Sequence, residues 1–491
     1  MDHPEELLGE NPLLEGLSPF IPISRLPKAL FCAPLENVPW RSLEPELREP
    51  LLALHSDHFF PTAMAIEIAS SIQASLRASL TRRNPLAPRE QRRINLLALL
   101  NGEMRPEVLQ SLATPASGGI IAAETGAGKT TILRRALEVI APEQIVKHSH
   151  SAACGWASLI QVHYLHIDLP SNGSRGGLIA RILGGMDSVI GTDYVGKHLR
   201  LRNLDQSLLL VMKVLSIHRV GLLVVDEGQQ DNFDECAWQR EFVLFFLCLM
   251  NLGIPVVLSG HPMAFSNLAA VAQVMRRFSD VGLFELNRAL RGDEEWWHDA
   301  LVPGVMRFNL CESIENASAI LNMSQPATGG IPGLFSARWI ESQRIALRRG
   351  GEIATLTAAD FEFSEKSPRC IALVKMARWL ESNPALDSGY TDLARPSNSE
   401  PDGGGQSAVS STAATKGIGG DSSPTRSDLN RALSKLAEAE KRDAARRTTR
   451  QQKNKDLLDK LSPDDLRNAK STLDLFAGLG TVQQELFNGE K

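Results

Sequence analysis

The sequence predicts an α/β fold: a five-stranded parallel sheet with crossover helices, a helical domain after it, and extensions at both ends. Three observations carry this. The stretch "AAETGAGKTT" (Ala122–Thr131) joins an apolar run to a helical pattern through a glycine-rich turn. Five short runs rich in Val, Ile and Leu alternate with helical patterns between residues 116 and 290, as expected for strands covered on both faces. One of these runs, "GLLVVDEGQQ", ends in the paired carboxylates Asp226 and Glu227.

The strands expected are "GGIIAAE", "VHYLHIDL", "LLVVDE", "PVVLSG" and "VGLFEL", separated by helices such as "TTILRRALEVI" and "LLLVMKVLSIHR". Residues 1–115 are rich in Pro and Leu, carry an arginine cluster (Arg77, Arg82, Arg83, Arg89, Arg92, Arg93) and have no clean strand pattern. They read as a helical or irregular partner-binding extension. Residues 291–383 hold only helical patterns, which suits a small domain packed beside the sheet. Residues 384–428, dense in Gly, Ser, Thr and Pro, read as a flexible linker. Residues 429–491 read as a basic helical tail whose apolar end, "TLDLFAGLGTVQQELF", suits docking.

Length and composition bound the function classes. A chain of 491 residues is long enough for two or three domains. Its 43% hydrophobic and 22% charged content is ordinary for a globular protein, and a net charge of -5 excludes a generally basic nucleic-acid binder while leaving room for a local basic patch. Six scattered cysteines without a C-x-x-C pair point to neither zinc nor a disulfide framework. With no basic start before an apolar run, no secretory signal is expected; the longest apolar stretch, 242–258, is broken by Asn251, Gly253 and Pro255, so no membrane span is expected. A cytoplasmic location fits these features. His148, His150 and His163 lack the companion ligands a metal site needs.

The glycine-rich turn has a definite chemistry. Backbone N–H groups of Glu124, Thr125, Gly126, Ala127 and Gly128 can surround phosphate oxygens at the start of a helix, whose N-terminus adds partial positive charge. Gly128, Lys129 and Thr130 fill the last places of the formula G-x-x-x-x-G-K-[ST], with Thr131 next, so Lys129 reaches the β- and γ-phosphates of ATP and the Thr130 hydroxyl holds Mg2+. Ala123 stands where the formula has its first glycine, at little cost if its φ stays negative. Asp226 at a strand end can bind the Mg2+ through water, and Glu227 can activate water as general base, which points to hydrolysis. Ser259 ends the neighbouring strand, where it can report the γ-phosphate. Arg276 and Arg277, in "VMRRFSD", can act as an arginine finger on a neighbouring subunit's nucleotide; two adjacent arginines also suit a solvated helix end.

In order and spacing, "ETGAGKTT", "VVDEGQQ", "VVLSGHP" and "MRRFSDVGLFEL" resemble the Walker A, Walker B, sensor 1 and arginine-finger segments of an AAA+ ATPase. Within that class, "NPLLEGLSPF", "RNPLAP", "KHSHS", "QVHYLHIDLPSNGSRGGL" and "MDSVIGTDY" resemble the TnsC/TniB group of transposon-encoded target regulators, over roughly residues 10–340. The resemblance implies a homo-oligomer, ring or helical filament, on double-stranded DNA, which receives a target-selector protein and activates a transposase. It further implies a sensor 2 arginine, for which "GGIPGLFSARWI" offers Arg338, and DNA contacts, for which Lys147 and Arg175 in loops near the core are candidates. Another AAA+ DNA enzyme, such as a replication initiator or helicase loader, shares every nucleotide motif. A nucleotide-gated scaffold with negligible turnover is the other alternative.

Overall fold

Apolar side chains alternate along the strands, and this sorts them onto two covered faces of one sheet. The computed structural model describes residues 4–99, 113–170, 174–201, 204–228, 239–265, 276–289, 295–349 and 353–382. The linker and tail expected at 384–491 lie outside these residues. In chain order the strands are β1 (Gly118–Ala123), β2 (Ile145–His148), β3 (Leu159–Val162), β4 (Tyr164–Asp168), β5 (Leu222–Gly228), β6 (Val256–Gly260) and β7 (Gly282–Leu286). Five of them form the parallel sheet β4-β5-β6-β1-β7. The run "VHYLHIDL" is not one strand. Val162 ends β3, which pairs antiparallel with β2 in a separate hairpin, and β4 starts at Tyr164.

The helices that position the site are α1 (Ala63–Arg82), α2 (Pro88–Leu99), α3 (Lys129–Ile140), α4 (Arg175–Ile190), α5 (Leu204–Ile217), α6 (Gln239–Asn251), α7 (Ala317–Thr328), α8 (Pro332–Arg348) and α9 (Ile371–Ser382). Ile120, Ala122, Leu165, Ile167, Val225 and Leu258 point to one face of the sheet and pack with α4, α5 and α6. Ile121, Ala123, Leu222, Val224 and Val257, one residue out of phase, point to the other and pack with α1 and α3.

α1 shows how far the N-terminal residues belong to this core. Thr62 caps it by accepting from the Ala65 N–H, and Ile68, Ile72, Leu76 and Leu80 recur at helical spacing on its buried face. Leu13, Leu14, Leu17, Leu26 and Leu30 join the same cluster, while Leu35, Trp40 and Leu52 pack instead with Trp297, Phe335 and Trp339 of the C-terminal helical part. Residues read from sequence as an extension therefore form one covering layer of the sheet and bridge to the helical part. The arginine cluster is likewise partly structural: Arg83 is fully buried, donates to the Ser79 hydroxyl and the Val220 carbonyl, and is pulled by burial down to about 9. Arg93 pairs with Glu90, which Arg219 also reaches.

Among the described residues from 295 to 382 the elements are mainly helices, with a two-residue parallel pairing added, β8 (Ser313–Ile314) to β9 (Thr355–Leu356). The "MDSVIGTDY" segment is held by Asp187, whose carboxylate accepts from the Thr192 hydroxyl and from the Tyr194 and Val195 N–H groups; these bonds keep it ionised below the usual carboxylate range despite the opposing effect of burial.

Candidate nucleotide site

β1 delivers the chain to the phosphate cradle. Ala123, its last residue, is buried and is not among the residues of positive φ, so the alanine fits where the formula has glycine. The two glycines that follow are needed: Gly126 has φ +81° and Gly128, the N-cap of α3, has φ +94°, both in the left-handed region that disfavours a side chain. Lys129 and Thr130 then open α3.

Thr130 Oγ1 donates to Asp226 Oδ2 at 2.7 Å, bringing together two residues 96 positions apart. A hydroxyl and a fully buried carboxylate are oxygen donors that fit a hard dication. Glu227 follows Asp226 on β5. Between Val225 and Gly228 the β5–β6 register slips, because three steps on β5 match two on β6. The slip falls at the carboxylate pair, where a β-bulge would interrupt the ladder. Ser259 lies on β6 beside Ile121 of β1, is 1% exposed, and its hydroxyl finds no hydrogen-bond partner among the described residues. A buried, unpartnered hydroxyl costs about 1–3 kcal/mol, which a ligand oxygen would relieve.

Beside the cradle is a cavity of about 700 Å3, lined by Gly126, Ala127, Gly128 and Thr131. Its other walls come from the N-terminal segment (His55, Phe59, Phe60, Met64), from the end of β7 (Asn287, Arg288) and from the C-terminal helices (Leu301, Gly333, Ser336). The apolar walls suit a flat base and the cradle suits its phosphates. The start of α8 is tied to the cradle: Gly333 N–H donates to Gly126 O at 2.9 Å, and a Cβ on Gly333 would stand 3.0 Å from that oxygen. His55 Nε2 meets Ser336 Oγ at 3.0 Å and His58 Nε2 meets Gly304 O at 2.9 Å, so two histidines join the N-terminal wall to the helical part. Burial, and then its neighbour His58, pull His55 down to about 4.

Arg338 does not reach this cavity. Its Nε donates to Ser364 Oγ, Nη1 to Ala327 O and Nη2 to Phe361 O, with the guanidinium over the Phe361 ring at 4.4 Å. It is 3% exposed and bonded within the helical core rather than toward the cavity. The helix is right but the face is wrong, since Gly333 and Ser336 are the α8 residues that line the cavity.

Arg276 and Arg277 lie at the other edge of the sheet. With Arg82, Asn251 and Asp280 they line a polar cleft of about 560 Å3 around Pro115–Ser117, just before β1 begins. Arg277 donates to Ala116 O and Asn251 Oδ1, and Arg276 is exposed. The six residues of β1 separate this cleft from the cradle by about 20 Å. Lys147 and Arg175 are not in loops. Lys147 is exposed on β2 opposite Ile160, and Arg175 is the first residue of α4, where Ser174 caps the helix by accepting from the Gly177 N–H.

The sequence reading missed His166. It sits on β4, one alternation before Asp168, the register partner of Asp226, and its Nε2 lies 3.6 Å from Asp226 Oδ2. Strand periodicity would have placed it on the Asp226 side had β4 been recognised as the neighbour of β5.

An AAA-domain family model matches residues 113–268. No curated protein matches the chain. Among solved structures, the ORC1 protein of Aeropyrum pernix, in complex with DNA, is similar at 13% identity and TM-score 0.36, over 58% of this chain and 68% of that one. Cdc6p of Pyrobaculum aerophilum is similar at 15% identity and TM-score 0.34, over 57% and 67%. A Walker-type ATPase of Pyrococcus abyssi is similar at 14% identity and TM-score 0.33, over 59% and 79%. Likeness at that level carries no functional inference. Together, the cradle, the Thr130–Asp226 pair, the sheet order and the matched family assign this chain an AAA-type P-loop domain of the AAA+ fold, and the protein is an ATPase.

Proposed function

We propose that this ATPase binds ATP with Mg2+, assembles head to tail on double-stranded DNA as a ring or helical filament, and there couples a target-selector protein to a transposase. The observation that carries the assembly is the position of the two polar sites at opposite edges of one sheet, the cradle at the carboxyl edge and the Arg276–Arg277 cleft at the amino edge. A heterologous contact repeated between copies brings one against the other. Lys129 then holds the phosphates, Thr130 and Asp226 the dication, Glu227 the attacking water and Ser259 the γ-phosphate, while an arginine from the next copy meets the developing charge. The transposition role is supported by the sequence segments that resemble TnsC/TniB proteins. Lys147 and Arg175 are the proposed DNA contacts, and the tail at 429–491 is the proposed transposase dock.

Negative-stain imaging of the full chain with duplex DNA and a non-hydrolysable ATP analogue tests the assembly, with rings or filaments around DNA expected. Charge reversal at Lys147 and Arg175 should weaken DNA binding with little change in nucleotide affinity. Deleting residues 395–491 should leave nucleotide-dependent oligomers intact and lower integration by the partner transposase. Undiminished integration sinks the docking role, and helicase loading in place of integration favours a replication initiator or loader.

A further inference from the structure

We propose that the buried guanidinium cluster of Arg83, Arg93 and Arg219 holds a single-atom monovalent anion, a halide such as chloride, at Arg83 Nη1. The site lies away from the nucleotide cradle and joins the N-terminal helices to the sheet.

The cluster is assembled from three parts of the chain. Arg83 follows the last residue of α1, Glu90 and Arg93 lie on α2, and Arg219 stands between α5 and β5. None of the four is more than 3% exposed. Short links hold them together. Glu90 accepts from Arg93 on both of its oxygens, at 2.6 and 2.7 Å, and from Arg219 on one of them. Arg83 Nη2 donates to the Val220 carbonyl, one residue past Arg219. Its Cδ lies so close to Gly253 that a Cβ there would stand 2.9 Å away, and Arg93 Nη1 reaches the carbonyl of the preceding residue, Leu252.

Both charge and hydrogen-bonding capacity are left over. Three guanidiniums pair with one carboxylate among the described residues, which leaves two positive charges in a region closed to water. Buried charge without a counter-charge is costly. Arg83 Nη1 is buried with no hydrogen-bond partner among the described residues, whereas Nε and Nη2 are taken by Ser79 and Val220. Burial, and then the charge of Arg93, pull Arg83 down to about 9 against the opposing effect of Glu90. An anion at Nη1 answers both shortfalls. A water there would answer only the hydrogen bond. Ser79, Val220 and Gly253 close on Arg83 from several sides, which suits a single-atom ion better than a phosphate or a carboxylate.

The test is urea unfolding of the nucleotide-free full chain in mixtures of sodium bromide and sodium gluconate at constant ionic strength, so that surface screening is the same throughout. An ion bound only by the folded chain lowers the unfolding constant by one plus the ratio of its concentration to its Kd, roughly tenfold once bromide reaches about ten times Kd. Arg83→Gln should remove this dependence. Glu90→Gln, which deletes the cluster's own counter-charge, should strengthen it. Lys129→Ala should leave it intact, and its loss in that variant would place the ion in the phosphate cradle and overturn the proposal. Where Arg83→Gln does not fold, the unaltered protein still decides: crystals grown in bromide should show an anomalous bromine peak within hydrogen-bond reach of Arg83 Nη1. No peak there, or unfolding that does not respond to bromide, overturns the anion and leaves a water as the partner of that nitrogen.

Discussion

Arg338 and His55 are both held by contacts that a single residue in the sequence does not announce. Arg338, six residues after the first residue of α8, was the sensor candidate in "GGIPGLFSARWI", yet every nitrogen of it that donates does so to Ser364, Ala327 or Phe361. Arg338→Ala should therefore destabilise the protein by about 3–5 kcal/mol, because it strands buried acceptors, with nucleotide affinity nearly unchanged where the protein is still folded. Denaturant unfolding and equilibrium nucleotide binding check both halves. A large affinity loss at unchanged stability would restore the sensor role. His55 raised no expectation from sequence, but its burial has a consequence for pH. Its folded pKa of about 4 lies below the usual 6.5, so the unfolded chain takes up the proton first as pH falls. Stability is then full above about 6.5 and declines toward pH 4, by on the order of 1–3 kcal/mol. Urea midpoints without nucleotide should fall between pH 7.5 and 5, and His55→Gln should flatten that dependence. An unchanged slope in the variant would place the acid sensitivity elsewhere.

At the scale of elements, what was legible was what local sequence determines. "GGIIAAE", "LLVVDE", "PVVLSG" and "VGLFEL" are strands because their β-branched and apolar residues are covered on both faces, and the cradle was readable because Gly126 and Gly128 must take positive φ. Pairing was not legible. Nothing local separates Val162 from Tyr164, yet the first pairs antiparallel with β2 and the second lies in the main sheet. The β5 bulge and the approach of His166 to Asp226 depend on the same long-range register. α1 was similarly obscured, since it ends at Arg82 and its partners, the sheet and α3, begin only at Gly118 and Lys129. Its integral place gives a direct expectation. Leu76 is fully buried, and Leu76→Ala should cost about 2–5 kcal/mol in global unfolding. A separable extension would instead melt in its own transition and leave the nucleotide domain's midpoint where it was.

For the whole molecule, the proposed head-to-tail contact makes ATP hydrolysis depend on a second copy, because the two sheet edges lie apart. The Arg276–Arg277 cleft opens before β1 and the cradle closes after it, so within one chain the length of β1, about 20 Å, separates them. Arginine assistance is commonly worth 10³–10⁵ in rate, so an isolated copy should be nearly inactive and turnover should rise with assembly. A double variant, Arg276→Ala with Arg277→Ala, should bind nucleotide and hydrolyse it slowly at any concentration. Glu227→Gln should also bind without turnover, since it removes the proposed general base. Mixed, the two should recover activity, because a Glu227→Gln copy presents intact arginines to a neighbour whose carboxylates are intact. The recovered rate should peak at intermediate mixing ratios, where such interfaces are most frequent. Phosphate release measured across the ratios, with co-assembly confirmed by imaging, checks this. If co-assembled mixtures stay inactive at every ratio, the arginines do not act between copies.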